Sequence, residues 1–201
     1  MKKDILLIGG GGHCKACIDV IEQSGLYWIA GIVETEATQL HKKVLGYEVI
    51  GIDEELPQLV KKYHNCLVTV GQIKTAEVRI RLYETLKSLG AKLPAVVSPL
   101  SYVSPHAKIG EGTIIMHNAL INAGAAVGRN CIINTKALVE HDAFVADHCH
   151  IATAAVVNGG VKVATASFLG SGAVSREFVE IGENSVVGCG AKVTKNIPKT
   201  P

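Results

Sequence analysis

The segment Val139-Glu140-His141-Asp142-Ala143 places one histidine between two carboxylates, and two further histidines follow at His148 and His150. A carboxylate beside an imidazole orients one ring nitrogen and raises the basicity of the other, and the unperturbed pKa already lies near neutrality, so His141 is a candidate general base. The alternative is a surface histidine in a polar segment. Zinc held by His141, His148 and His150 would require an i, i+7, i+9 spacing that no recognised site uses, and no metal is expected.

A second candidate lies near the amino terminus, where Asp4 to Ile8 reads as a buried strand, Gly9-Gly10-Gly11-Gly12 as a turn, and His13 to Gln23 as a helix stopped by Gly25. Glycines at a helix start let backbone amides approach a phosphate, where the helix dipole also favours an anion. The stretch reads G-x-G-x-x-C and lacks the third glycine of the dinucleotide fingerprint, so a ligand-free glycine turn and a small NAD-binding module both stay open. Glu34, the last residue of a strand over Trp28 to Glu34, is placed to meet a ribose hydroxyl. Asp53 to His64 reads as a helix, Cys66 to Gly71 as a strand, and Thr75 to Leu89 as a helix stopped by Gly90. Strands alternating with helices predict a small parallel sheet, with Gly9 to His13, Glu34 to Thr35 and Gly71 to Gln72 bordering one crevice.

The elements that hold His141 are of another kind. From Val97 to Val193 an aliphatic residue stands at every sixth position, broken only by Ser175, and four residues after each comes a small one, as at Ala119, Cys131, Ala137, Ala143 and Cys149. A period of six is neither that of a helix nor of a two-faced strand. Three flat six-residue strands closing a triangular coil satisfy it, with the aliphatic row inside the prism and the small row where the chain turns, in a parallel β-helix. Each coil takes eighteen residues, so His141 stacks between Ala123 below and Gly159 above. The change of period sets a domain boundary at residue 96: an α/β Rossmann-like domain over 1–96 and the β-helix over 97–201.

Apolar residues make up 48% of the 201, ample for cores, and a formal net charge of +2 with interspersed signs carries no footprint of a nucleic-acid binder. The apolar run after Lys3 is too short for a signal peptide or membrane span, so a cytoplasmic protein without membrane insertion is expected. The six cysteines are scattered and no disulfide is expected; Cys14 and Cys17 have C-x-x-C spacing but no second pair, which reads as a buried helix face, with a metal or redox site as the alternative.

The glycine loop with His13, the hexapeptide array, Asn134-Thr135 ahead of Glu140-His141-Asp142, and His150 nine residues on together resemble the sugar acyltransferases of the sialic acid O-acetyltransferase type. The nearest likeness is to bacterial N-acetyltransferases that modify the 4-amino group of a UDP-linked amino-dideoxy sugar, as in the bacillosamine pathway. The resemblance implies a left-handed β-helix, a homotrimer with active sites between adjacent prisms, and direct transfer from acetyl-CoA. His141 would be the general base, supported by Asp142 with Glu140 close by. His150 and backbone around Gly170 and Ser171 would contact acetyl-CoA, and Gly11, Gly12, His13, Glu34, Thr35 and Gly71 would hold the nucleotide. Sugar O-acetylation and a non-catalytic trimeric scaffold are the alternatives. Ser175-Arg176-Glu177-Phe178-Val179 departs from the aliphatic and proline-glycine pattern usual in that family.

Overall fold

The computed structural model describes residues 2–199. The chain forms two compact units, one of residues 1–71 and 78–94, the other of residues 72–77 and 95–201.

The first unit is built on a five-stranded sheet. Its strands are β1 (Lys3–Ile8), β2 (Tyr27–Glu34), β3 (Lys43–Val44), β4 (Tyr47–Ile52) and β5 (Cys66–Val68), in the spatial order β3-β4-β2-β1-β5, parallel except for the β3–β4 pair. Leu6, Ile8, Val33, Cys66 and Val68 meet Leu56, Val60, Leu82, Tyr83 and Leu86 in one buried cluster. Helix α1 (Gly12–Ser24) stops at Gly25, whose left-handed φ of 65° lets its N–H reach the Glu22 carbonyl.

Several boundaries differ from the sequence expectation. The helix anticipated from Asp53 opens as a 3-10 turn, with α2 running Leu56–Tyr63, and the third helix, α3, is shorter at Glu77–Ser88. The strand anticipated over Cys66 to Gly71 ends at Val68, because the chain leaves the sheet edge to form the crevice loop. The β3–β4 hairpin was not anticipated. Its two-residue turn, Leu45 and Gly46, has both φ positive (48° and 91°), a geometry that Asn-Gly announces and Leu-Gly does not.

The second unit is a parallel β-helix of the left-handed kind that hexapeptide repeats build. Seventeen two-residue strands, from β6 (Val96–Val97) to β22 (Lys192–Val193), stack as three parallel sheets with a register of eighteen, as in Ile121↔Val139↔Val157. The sixfold row fills the prism: Ile115, Ile121, Ile133, Val139, Val145, Ile151, Val157, Val163 and Leu169 are all fully buried in one cluster. Each such burial is worth about 1.5–3 kcal/mol.

The turn position lies one residue before the small row. Every sixth residue from Gly112 to Gly190, including Asn118, Asn130, Asp142 and Asn184, has a positive φ, the region that Gly, Asn and Asp enter most readily. The small residue follows inside the corner. At one of the three corners it is a donor: Thr113, Cys131, Cys149 and Ser167 hydrogen-bond the carbonyls of Gly128, Ala146, Ala164 and Gly182 at 2.7–3.1 Å. Ser175, the break in the aliphatic row, is buried and disturbs the ladder: its Oγ accepts the Asn158 N–H at 3.0 Å, while Asn158 Nδ2 donates to the Ser175 carbonyl at 2.7 Å.

Candidate functional site

His141 stands on a corner of the β-helix, just past the strand Leu138–Val139. Val139 and Ala143 are buried and anchor the two ends of the segment; between them the left-handed φ of Asp142 (58°) reverses the chain and turns His141 and Asp142 outward. The His141 side chain is 59% exposed and its Nδ1 lies 3.0 Å from Asp142 Oδ2. A carboxylate only accepts, so Nδ1 carries the proton and Nε2 keeps a lone pair. The hydrogen bond to Asp142 raises the imidazole pKa above its ordinary value of 6.5, with the Asp142 and Glu140 charges adding to it.

Glu140 reaches backbone, not the ring. Its Oε2 accepts the His141 N–H at 3.0 Å and Asn122 Nδ2 at 2.8 Å, tying the corner to the coil below. Asn122 was missed in the sequence, although it stands one coil before Glu140 and the register of eighteen points to it. On the coil above, a Cβ placed on Gly159 would sit 2.8 Å from His141 Nε2, so the missing side chain is what gives the basic nitrogen its place.

His150 is set differently. It lies on another sheet of the prism, on the strand His150–Ile151, and is 7% exposed. Its Nδ1 is 2.6 Å from the Gln72 carbonyl and its Nε2 3.1 Å from Asn134 Nδ2, so Nδ1 donates and Nε2 accepts; Phe168 meets the ring edge-on at 5.2 Å between centroids. Gly170 and Ser171 turn a third corner, after the strand Phe168–Leu169. The Gly170 N–H already donates to Val187 O at 2.8 Å, and a Cβ there would collide with the coil above. One chain therefore does not bring His141 together with Gly170 and Ser171.

In the first unit the carboxyl ends of β1 and β2 border a small crevice of about 40 Å³ lined by Gly9, Glu34, Thr35, Asp53 and Arg81, among others. Gly9 is required here: its φ is +102° and a Cβ would overlap Val70. Gly11 and Gly12, at the α1 amino terminus, face open space. Glu34 folds onto the glycine loop, its Oε1 accepting the Gly10 N–H at 2.6 Å, and its Oε2 has no such loop contact to give up for the ribose contact expected of it. His13 Nε2 lies 3.4 Å from Cys17 Sγ, and a Cβ on Gly71 would touch His13 Cβ at 3.5 Å. Asp53 and Arg81 were not singled out in the sequence; burial holds the Asp53 carboxyl above its ordinary pKa, against the pull of the Arg81 charge. Cys14 and Cys17 face the interior, where burial pushes the Cys14 thiol up to about 11 and raises that of Cys17 as well, which favours the protonated thiol at both.

Residues 4–86 match the PglD N-terminal domain and residues 106–141 the bacterial transferase hexapeptide repeats. A comparison with curated protein sequences finds no match. Among solved structures, the chain is similar to a histidine-to-asparagine mutant of perosamine N-acetyltransferase from Caulobacter crescentus in complex with CoA and GDP-perosamine. The identity is 33% over 98% of this chain and 91% of that one, with a TM-score of 0.91. It is also similar to the acetyltransferase domain of PglB from Neisseria gonorrhoeae in complex with acetyl coenzyme A, at 31% identity over 98% and 94% of the two chains and a TM-score of 0.89. WeeI from Acinetobacter baumannii, at 22% identity over 98% and 94% with a TM-score of 0.84, shares the fold. With a glycine-loop domain, a hexapeptide prism and near-complete coverage of these enzymes, the chain belongs to the acetyltransferase family that joins a PglD N-terminal domain to bacterial transferase hexapeptide repeats.

Proposed function

We propose that this chain transfers acetyl from acetyl-CoA to the amino group of a nucleotide-linked 4-amino-dideoxy sugar, with His141 as the general base. The observation that carries this is the His141–Asp142 couple, its Nε2 given room by Gly159 on the coil above, in a chain whose relatives hold CoA and GDP-perosamine. As the sugar amine attacks the thioester carbonyl, Nε2 takes its proton. The tetrahedral intermediate then expels the CoA thiolate, and the imidazolium returns the proton to sulfur. Acetyl passes directly to nitrogen. Asp142 holds the tautomer and stabilises the imidazolium, while Glu140 and Asn122 fix the backbone beneath.

Residues 1–96 act as a Rossmann-like nucleotide-sugar domain. The exposed amides at Gly11 and Gly12 suit a diphosphate at a helix amino terminus, and His13, Glu34, Thr35 and Gly71 border it. UDP is the carrier expected from the sequence, and a GDP sugar is the ligand of the similar perosamine enzyme, so both belong in the assay. Residues 97–201 carry acyl transfer. Because His141 and the Gly170–Ser171 corner stand apart on one prism, the base and the acetyl-CoA contacts of Gly170, Ser171 and His150 come from adjacent copies in a homotrimer. Among the described residues no helix is long and apolar enough to cross a membrane. A cytoplasmic setting goes with these substrates.

The test is thiol release from acetyl-CoA with GDP-perosamine or a UDP-linked 4-amino-dideoxy sugar, together with mass analysis of the product. Acetyl gain at the amino group is expected. Gain only on sugars lacking an amine makes the enzyme an O-acetyltransferase, and no gain on any member of the panel overturns the assignment.

A further inference from the structure

Phe178 is the one large apolar side chain among the left-handed corner residues of the prism, and it is 76% exposed. Its φ of 56° is one that glycine enters freely and a bulky residue at a cost; strain of that kind persists where the surroundings enforce it and collects at functional positions. The corner is unusual in a second way: the ladder leading into it is disturbed at Ser175, where the Ser175 side chain, not its carbonyl, accepts the Asn158 N–H.

The ring is exposed, but one edge of it rests against the coil below. It lies down onto Gly160, one coil below, where a Cβ would overlap its Cδ1 and Cε1, while the Phe178 N–H donates to the Gly159 carbonyl at 3.0 Å. His141 rises to the same level from the other side, its Nε2 reaching the position that a Gly159 Cβ would take. The adjacent glycines have Cα atoms about 3.8 Å apart. Phe178 and His141 Nε2 thus reach neighbouring residues of one glycine pair, the phenyl Gly160 and the imidazole Gly159.

We infer that Phe178 is a specificity residue for the acceptor, a platform for the C–H face and 6-methyl group of a deoxy sugar whose amine meets His141 Nε2. The inference rests on the proposed transfer and deepens it. The nucleophile has to lie within hydrogen-bond reach of Nε2, so the sugar ring that bears it extends over the neighbouring surface, and that surface is the phenyl group. Aromatic faces are electron-rich and receive polarised C–H groups, whereas a 6-hydroxyl against the same ring loses its water without gaining a partner.

The experiment compares wild type, Phe178→Ala, Phe178→Gly and Phe178→Tyr with acetyl-CoA and two probes, GDP-perosamine and the GDP-linked 4-amino-4-deoxy hexose that keeps its 6-hydroxyl. Wild type should prefer the 6-deoxy probe. In Phe178→Ala and Phe178→Gly the acceptor KM should rise about tenfold and the preference collapse, with the KM for acetyl-CoA unchanged. Phe178→Tyr, which keeps the ring, should keep the preference. Phe178→Gly should also raise Tm by about 2–4 °C, because glycine relieves the left-handed strain. An unchanged preference in Phe178→Ala overturns the inference, as does a shift confined to the KM for acetyl-CoA or a change of oligomeric state in sedimentation. A wild type that acetylates neither these probes nor any other amino sugar overturns the transfer reading itself, a result distinct from an active wild type whose variants behave alike.

Discussion

His141 Nε2 and Gly159 stand one coil apart in register, and the imidazole occupies the space that a side chain on Gly159 would fill, 2.8 Å from the position of its Cβ. Removing the base should therefore be clean. His141→Ala should lower kcat by about 10²–10⁴-fold in the thiol-release assay. Its exposed ring carries little packing, so Tm should stay near that of wild type. Retained turnover in a folded variant would remove His141 from the mechanism.

Gly159→Ala tests position, not chemistry. Gly159 has no positive φ, so its backbone accepts alanine, but the new methyl displaces the ring. A shift of about 1 Å at the base costs about 10²-fold in kcat. The loss should appear without a matching loss of stability by thermal denaturation.

The pH profile reports the Asp142 contact. His141 must be neutral to accept a proton, and its pKa is raised above 6.5, so the acidic limb of kcat/KM should lie above that value. Asp142→Asn withdraws the anion that favours the imidazolium. The pKa then falls, and the limb should move to lower pH while the plateau drops, because the poorer base is also less well oriented. A limb that stays in place would show that another group titrates. The pair is open to water, so it matters for basicity and tautomer, and its contribution to stability is small.

Two glycines of the amino-terminal loop should behave oppositely. Gly9→Ala meets Val70 and a φ of +102°, and should cost at least about 2 kcal/mol in urea denaturation. Gly11→Ala, at φ −71° in open space, should stay within about 0.5 kcal/mol while raising the KM for the nucleotide sugar. Equal effects on stability would contradict the loop geometry.

Ser175→Ala leaves the Asn158 N–H without the hydroxyl that now accepts it at 3.0 Å. The expected loss is about 1–2 kcal/mol, a fall in Tm of about 2–8 °C. An unchanged Tm would mean that the ladder recloses on the Ser175 carbonyl.

The sixfold row determined by itself that the second half is a prism, that its coils take eighteen residues, and that Glu140, His141 and Asp142 leave it between Val139 and Ala143, because an aliphatic side chain at each sixth position has nowhere else to be buried. It also put Gly159 over His141. The Leu45-Gly46 hairpin was beyond it, since left-handed backbone at leucine has no sequence signature. Only the tertiary structure decided where the polar atoms go. Glu34 turns onto the Gly10 amide, the Gly170 amide is consumed by the coil above, and His150 is closed between Gln72 and Asn134. Asp53 and Arg81 meet at one crevice. Phe178 falls back onto Gly160, toward the level of His141. Periodicity encodes which side chains are buried, because burial is a property of single residues repeated along a lattice. Hydrogen-bond partners and shared crevices join residues distant in the chain, and their pairing exists only once the coils and loops have closed.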